Sequence, residues 1–159
     1  MTIKKAYIGI GTNLGNKESN LRVALQKIAA LPQVKITKTA AFYRTAPVGP
    51  VEQDWFLNTA AEIETEEQPL ELLENLLSIE NQMGRVRTIH WGPRVIDLDL
   101  LAYADLVVQT EKLTLPHPYI KDRSFVLLPL AEICPDLELP QMGVVRELLQ
   151  ELEKNQVRA

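Results

Sequence analysis

The segment WGPRVIDLDLL, Trp91 to Leu101, places two aspartates one residue apart in a run that is otherwise apolar, with Arg94 just ahead of them. Its Val, Ile and Leu content predicts a strand, whose side chains face alternate ways. Ile96, Leu98 and Leu100 then share one apolar face, while Val95, Asp97, Asp99 and Leu101 share the other. Carboxylates at that spacing lie about 7 Å apart along the strand and repel unless positive charge sits between them. With two histidines and one cysteine in the chain, a zinc site built on nitrogen and sulfur is disfavoured. Paired carboxylates suit magnesium, which completes its coordination with water and substrate phosphates. Two ions could share the pair, about 4 Å apart as in two-metal sites. The plain alternative is that Asp97 and Asp99 form structural ion pairs with Arg85, Arg87 or Arg94.

The residues before the strand supply the complementary charge. Gly84 to Arg94 holds three of the eight arginines, and no Asp or Glu lies between Asn81 and Arg94. This is a local cationic patch in an acidic chain, and it ends on the carboxylates. Anion and metal are expected at one place, as phosphoryl chemistry requires. A second segment of unusual composition, Arg44 to Trp55, contains Pro47, Gly49 and Pro50. Both are too long for simple turns, and long segments of this kind in a compact domain are usually lids, binding loops or disorder. Trp91, between His90 and Gly92, has no obvious core to join and resembles a gate.

Other candidates are ambiguous on their own residues. GIGTNLG has Leu14 where a dinucleotide fingerprint needs its third glycine, so it reads as a tight strand-to-helix turn with Asn13 as a turn residue. His117 fits either a phosphate contact or a packed histidine in a proline-rich turn. Phe56 and Phe125 read as core. Cys134, with no partner for an internal disulfide, reads as a small buried hydrophobe.

The elements that must position these residues follow from periodicity. AYIGIG predicts a strand and TNLGN a turn into a helix carrying Leu21, Ala24, Leu25, Ile28 and Leu31, stopped by Pro32. VKITKTAAFY and FLNTAAEIET read as strands, and Pro69 opens a helix with Leu72, Leu73, Leu76, Leu77, Ile79 and Met83 on its apolar face. VIDLDLLAY is the fourth strand. A short strand LVVQT, a helix through RSFVLLPLAEI and a terminal helix VVRELLQELEK complete the chain. The order βαββαβ predicts an α+β, ferredoxin-like core, an antiparallel sheet with helices packed on one face. The 159 residues, 46% hydrophobic, fit a single domain spanning 1–159. A net charge of −4 argues against nucleic acid as a partner. No segment has the length and hydropathy of a signal peptide or a membrane span, so a cytoplasmic location is expected. Nothing in the pattern requires more than a monomer.

Taken together, IGIGTNLG, FYRTAPVGP followed by FLN, IENQMGRVR, WGPRVIDLDLL and LTLPHPYIKDRSFVLLPL resemble the 6-hydroxymethyl-7,8-dihydropterin pyrophosphokinases of folate biosynthesis over nearly the whole chain. The resemblance implies transfer of pyrophosphate from ATP to the hydroxymethyl group of the pterin, with AMP as the other product. Asp97 and Asp99 match the family's ligands for two magnesium ions. Arg87, Arg94, Lys112, His117 and Arg123 match triphosphate contacts, and Glu80, Leu100 and Thr114 match the adenosine pocket. The resemblance turns Phe56 and Phe125 into platforms for the pterin ring, with Asn58 at its polar edge and the backbone of Thr45, Ala46, Pro47 and Val48 completing the slot. Arg85 and Trp91 match catalytic-loop residues. The chain departs from members of the family at Leu77, at Pro118 and in a loop one residue shorter between Arg87 and Trp91. A nucleotidyltransferase of the Gly-Ser and DxD type is disfavoured because GIGTNLG lies most of a domain before Asp97. A ligand-binding regulatory module would have no use for an aspartate pair beside an arginine-rich loop.

Overall fold

The computed structural model describes residues 2–46, 54–84 and 95–158. Strand β1, Lys4–Thr12, is followed by a turn in which Gly15 has φ +65° and by helix α1, Lys17–Ala29. Asn16 caps that helix, its side chain accepting the Ser19 amide at 3.0 Å. Leu21, Ala24 and Ile28 are its buried stripe. Strands β2, Val34–Thr39, and β3, Tyr43–Thr45, precede β4, Phe56–Thr65. Helix α2, Pro69–Gln82, starts with its proline in the first turn, where no amide is needed, and Glu71 accepts the Gln68 amide at 3.3 Å. Strand β5, Asp97–Tyr103, completes the sheet.

The main sheet has the order β2-β4-β1-β5, with β3 also beside β4, and every pairing is antiparallel. This is the expected ferredoxin-like arrangement of a βαββαβ chain. The segment expected as one strand over VKITKTAAFY is interrupted at residues 40–42, so β2 and β3 pair with β4 in different registers. The strand expected from Val95 begins at Asp97, and LVVQT contributes only β6, Val108–Gln109, paired with β7, Thr114–Leu115.

Helices cover both faces of the sheet rather than one. On the first face, α1 and α2 bury Leu21, Ile28, Leu72 and Leu76 against Ile8, Ile10, Leu98 and Leu100. On the second, α3, Ser124–Ile133, packs Leu127 and Leu130 with Tyr7, Ala60 and Leu101. Strands β8, Glu138–Leu139, and β9, Gly143–Val144, lead to α4, Val145–Arg158, which packs on α3. The alternation expected for the aspartate strand holds through Leu101. There the β1–β5 register slips, from Ile8 opposite Leu100 to Tyr7 opposite Ala102, and both Leu101 and Ala102 join the second core.

That second core contains a carboxylate. Glu62 of β4 is 3% exposed and accepts hydrogen bonds from the Tyr7 hydroxyl at 2.9 Å, the Thr37 hydroxyl at 2.7 Å and the Cys134 thiol at 3.2 Å. Cys134 is therefore buried as expected, but it is a hydrogen-bond donor rather than a plain hydrophobe. Burial alone would raise the Glu62 carboxyl; the three donors outweigh it and hold it below its ordinary value. A carboxyl so depressed stabilises the fold above the unfolded-state value, 4.5, and the contribution is lost as pH falls through the lower folded value. Glu62→Gln should cost about 1–3 kcal/mol at pH 7. Its melting temperature should converge on that of the parent as the pH falls below 4.5 and through the lower folded-state value; a gap that does not change with pH would show that the charge is not what stabilises.

Candidate active site

Residues directly opposite each other in an antiparallel ladder project from the same face. Gly11 of β1 lies opposite Asn58 of β4 on one side and Asp97 of β5 on the other, and Tyr43 of β3 lies opposite Asn58. Tyr43, Asn58, Gly11 and Asp97 thus form one row across four strands. The next row is Ala60, Gly9 and Asp99. Beyond the first row, Thr45 lies opposite Phe56. At the usual strand spacing, the backbones of Asn58 and Asp97 are about 10 Å apart, with only a glycine between them. The two glycines let neighbouring side chains close down on the backbone, Asn58 over Gly11 and Leu101 over Gly9, beside half-buried Asp97 and Asp99.

Gly11 is required by its neighbour. A Cβ there would come 2.5 Å from Asn58 Oδ1 and 4.0 Å from the Phe56 ring. Asn58 is held in place by donating to the Thr45 hydroxyl at 2.7 Å. The structure therefore gathers Thr45, Phe56 and Asn58, and exposed Ala46 follows directly. Phe125, in the first turn of α3, is half-buried and packs on the core of this same face. Arg123 occupies the N-cap position of α3, its guanidinium carbon 5.6 Å from the Phe125 ring centre and 5.0 Å from that of Tyr119.

A second set of candidates meets along β5. A cavity of about 260 Å³ is lined by Leu73 of α2, Leu98, Asp99 and Leu100 of β5, and Lys112, Thr114 and His117 of the following segment. That segment is fastened to β5 by the His117 amide, which donates to the Leu101 carbonyl at 2.8 Å. Apolar walls from three leucines beside an ammonium, a hydroxyl and an imidazole suit a base joined to a charged chain. Burial, with Arg123 adding to it, pushes the His117 imidazole down to about 4. Its Nδ1 accepts the Tyr119 amide at 3.3 Å, which leaves Nε2 as the donor of a neutral ring.

Glu80 stands apart from the other adenosine candidates. It is 3% exposed, does not line the cavity, and accepts the Leu98 amide at 2.8 Å, which ties α2 to the strand between the two aspartates. Arg85, Arg87, Trp91, Arg94, Pro47 and Val48 lie outside the described residues. Among the described residues no group of three or more His, Cys, Asp or Glu could hold a metal ion by itself. Two carboxylates beside a glycine strand fit a hard cation that takes its remaining oxygens from water and phosphate.

Several features escaped the sequence reading. Gly9 and Gly11 lie in the strand expected over AYIGIG, but that this strand is central, with the two glycines beside Asn58, Asp97 and Asp99, becomes visible only with the register to β4 and β5. Asn13 is 2% exposed, and its amide reaches the Asp54 carbonyl at 3.3 Å, anchoring the chain ahead of β4. Trp55, read as the end of a loop, is flanked by the Lys17 ammonium at 4.0 Å and the Arg44 guanidinium at 4.3 Å.

A ferredoxin-like sheet with an aspartate pair beside a cavity that holds Lys112 and His117 suits a transferase that moves a phosphoryl group from a nucleotide to an acceptor. The sequence profile of the 7,8-dihydro-6-hydroxymethylpterin-pyrophosphokinase family matches residues 7–135, and the chain belongs to that family. The family's reaction, and that of this chain, is ATP-dependent pyrophosphoryl transfer to hydroxymethyldihydropterin in folate biosynthesis. Relatives called 2-amino-4-hydroxy-6-hydroxymethyldihydropteridine pyrophosphokinase include one from Methylorubrum extorquens, 50% identical over 149 residues covering 94% of each chain. Another, from Haemophilus influenzae, is 43% identical over 146 residues, 92% of this chain and 91% of the relative. Among solved structures, wild-type Plasmodium falciparum HPPK-DHPS superposes with a TM-score of 0.79 at 15% identity, over 99% of this chain and 46% of that one. The chain thus spans less than half of that longer protein, and the likeness to it is one of fold.

Two measurements probe this geometry. Gly11→Ala, by displacing Asn58, should weaken pterin binding at least about tenfold while ATP binding changes little; unchanged pterin affinity would show that Asn58 does not read the ring. Proton NMR of the ligand-free protein should place the His117 midpoint near pH 4 rather than near the ordinary 6.5. A midpoint above 6 would mean that the imidazole is not held neutral.

Proposed function

We propose that ATP lies along the outer side of β5, in the cavity of Leu100, Lys112, Thr114 and His117, and that the pterin lies on the second face of the sheet between Phe56 and Phe125. The two substrates would meet over Asp97 and Asp99. The observation that carries this reading is the row from Asn58 through Gly11 to Asp97, in which the missing side chain of Gly11 lets the Asn58 amide lie over the strand on the same face as the metal-suited carboxylate. Asp97 and Asp99 would hold magnesium, two ions by the family resemblance. When bound, magnesium neutralises phosphate oxygens and aligns the triphosphate.

The chain's own groups account for the rest. Asn58 and the backbone of Thr45 to Val48 orient the ring so that its hydroxymethyl oxygen faces the β-phosphorus. Attack there forms the new O–P bond, breaks the bond to the α-phosphate oxygen and releases AMP. A loose phosphoryl-type transition state requires alignment and charge stabilisation more than a strong base. Lys112, His117 and Arg123 donate to the triphosphate, and the family resemblance adds Arg85, Arg87, Arg94 and Trp91 of the catalytic loop. The neutral state of His117 fits donation from Nε2 without a second positive charge beside Arg123. Glu80 would act by holding β5 rather than by touching adenosine.

The same reading takes residues 1–159 as one pyrophosphokinase domain, working as a cytoplasmic monomer on small molecules and not on nucleic acid. It is supported by one sheet that supplies both cores, by the net charge of −4, and by the fact that, among the described residues, no helix is long and apolar enough to cross a membrane.

Phosphorus NMR tests the reaction directly. With ATP, magnesium and 6-hydroxymethyl-7,8-dihydropterin, AMP and pterin diphosphate should appear in equal amounts, and a chelator should stop the reaction. ADP or free pyrophosphate as the main coupled product would overturn the assignment. Asp97→Ala and Asp99→Ala should each lose turnover by orders of magnitude and remain folded. Phe125→Ala should weaken pterin binding by about 1–3 kcal/mol, the range of ring stacking, with ATP binding little changed.

A further inference from the structure

The C-terminal end of α3 is fastened to the break between β2 and β3. The Ala41 amide donates to Glu132 Oε1 and Oε2, each at 3.1 Å, and the Tyr43 hydroxyl donates to Oε1 at 2.5 Å. The Lys38 ammonium adds a bond to the Ile133 carbonyl at 3.3 Å. None of these residues belongs to the pterin slot. Two features nevertheless connect them to it.

The first is register. Between Thr39 and Tyr43 the chain advances four residues while its partner on β4 steps back three, from Ala61 to Asn58. One residue is therefore extra, and a one-residue slip reverses the face of every side chain that follows. Without it Tyr43 would lie opposite Leu57, which packs toward the first core, and Thr45 would turn away from Asn58. With it, Tyr43 and Thr45 share the face of Asn58 and Phe56, and Asn58 reaches the Thr45 hydroxyl. The Ala41 amide lies in this break, and Glu132 accepts from it. The second feature is helical spacing. Glu132 is seven residues beyond Phe125, two turns along the same side of α3. A carboxylate bonded to β3 at one end of the helix fixes the placement of the aromatic at the other.

We propose that Glu132 is a positioning residue: it stabilises the extra residue that turns Thr45 toward Asn58 and it ties the helix carrying Phe125 to the strand carrying Thr45, so setting the width of the pterin slot. This rests on the slot assigned above. Tyr43 reports on the contact, because its hydrogen bond to Glu132, with burial second, pushes the phenol up to about 12.

The test compares Glu132→Ala, Glu132→Gln and Phe125→Ala, with 6-hydroxymethylpterin and ATP as the binding probes. Glu132→Ala should raise the pterin Kd about tenfold and leave the ATP Kd within about twofold, and Glu132→Gln, which keeps one acceptor oxygen, should recover most of the loss. Ultraviolet titration should show one phenol, identified by its absence in Tyr43→Phe, moving from about 12 toward the ordinary 10 in Glu132→Ala. Equal losses for pterin and ATP, or an unchanged pterin Kd in Glu132→Ala while Phe125→Ala weakens it, would overturn the positioning role alone. If Phe125→Ala also leaves pterin binding unchanged, the slot assignment fails and the role of Glu132 fails with it.

Discussion

The site depends on one constraint, the absence of side chains from the second face of β1 at Gly9 and Gly11. A glycine inside a strand costs about 0.5–1 kcal/mol relative to alanine, and two in a central strand would weaken a sheet that had no compensation. The compensation lies on the other face of the same strand. Ile8 and Ile10, at alternate positions, are buried in the larger core, and β1 is paired along its whole length with β4. The strand can lack side chains where Asn58 and Leu101 close over it because it is fully packed on its other face.

That division runs through the sheet. The first face is lined by Ile8, Ile10, Ile63, Leu98 and Leu100 under α1 and α2. The second carries Asn58, Glu62, Asp97 and Asp99, and α3 lies over β3 and β4 on that side. A buried polar group is tolerated only when it is satisfied, and the polar groups beneath α3 are: Glu62 has three donors, and Asn58 reaches Thr45. Those bonds also join the helix to the strands. The polar residues of this face therefore tie β1, β2, β3, β4 and the end of α3 together.

What the sequence made legible was local. Helix periods, the caps and the proline at the start of α2 depend on near neighbours, and so does the alternation that puts Asp97 and Asp99 on a face opposite Leu98 and Leu100. The rest depended on pairings between distant segments. VKITKTAAFY contains no glycine or proline to announce a break, and the extra residue exists only relative to β4. Gly9 and Gly11 read as part of a strand, but what their missing side chains make room for is visible only once their partners are known. Glu132 is one of several acidic residues on amphipathic helices, and nothing near it in the chain points to Ala41 or Tyr43. Phe56 and Phe125 fit a core by period alone, and their half-buried placement at its margin became legible only through the family resemblance. The two later helices were expected, but their place on the second face was not, because the βαββαβ core accounts for only the first pair.

Strand β5 is where the two halves of the chemistry must be reconciled, and its backbone is well placed for that. It is an edge strand, paired in the main sheet only with β1, and an edge exposes alternate amides that would otherwise be left to water. The Leu98 amide points outward, to Glu80 of α2, so the alternation of a ladder turns the backbones of Asp97 and Asp99 inward, toward Gly11 and Gly9. Three consecutive residues are thus fixed from two sides, the middle one by a buried carboxylate and the outer two by a glycine strand. Farther along, the His117 amide donates to the Leu101 carbonyl and keeps the segment that lines the cavity against the same strand. Leu98, Asp99 and Leu100 all line that cavity, so Asp99 stands both at the cavity and in the row with Gly9. The repeat of a strand, rather than any loop, sets the spacing between Asp97 and Asp99. Carboxylates held in that way need little rearrangement when a charged ligand arrives, which is what electrostatic preorganisation requires.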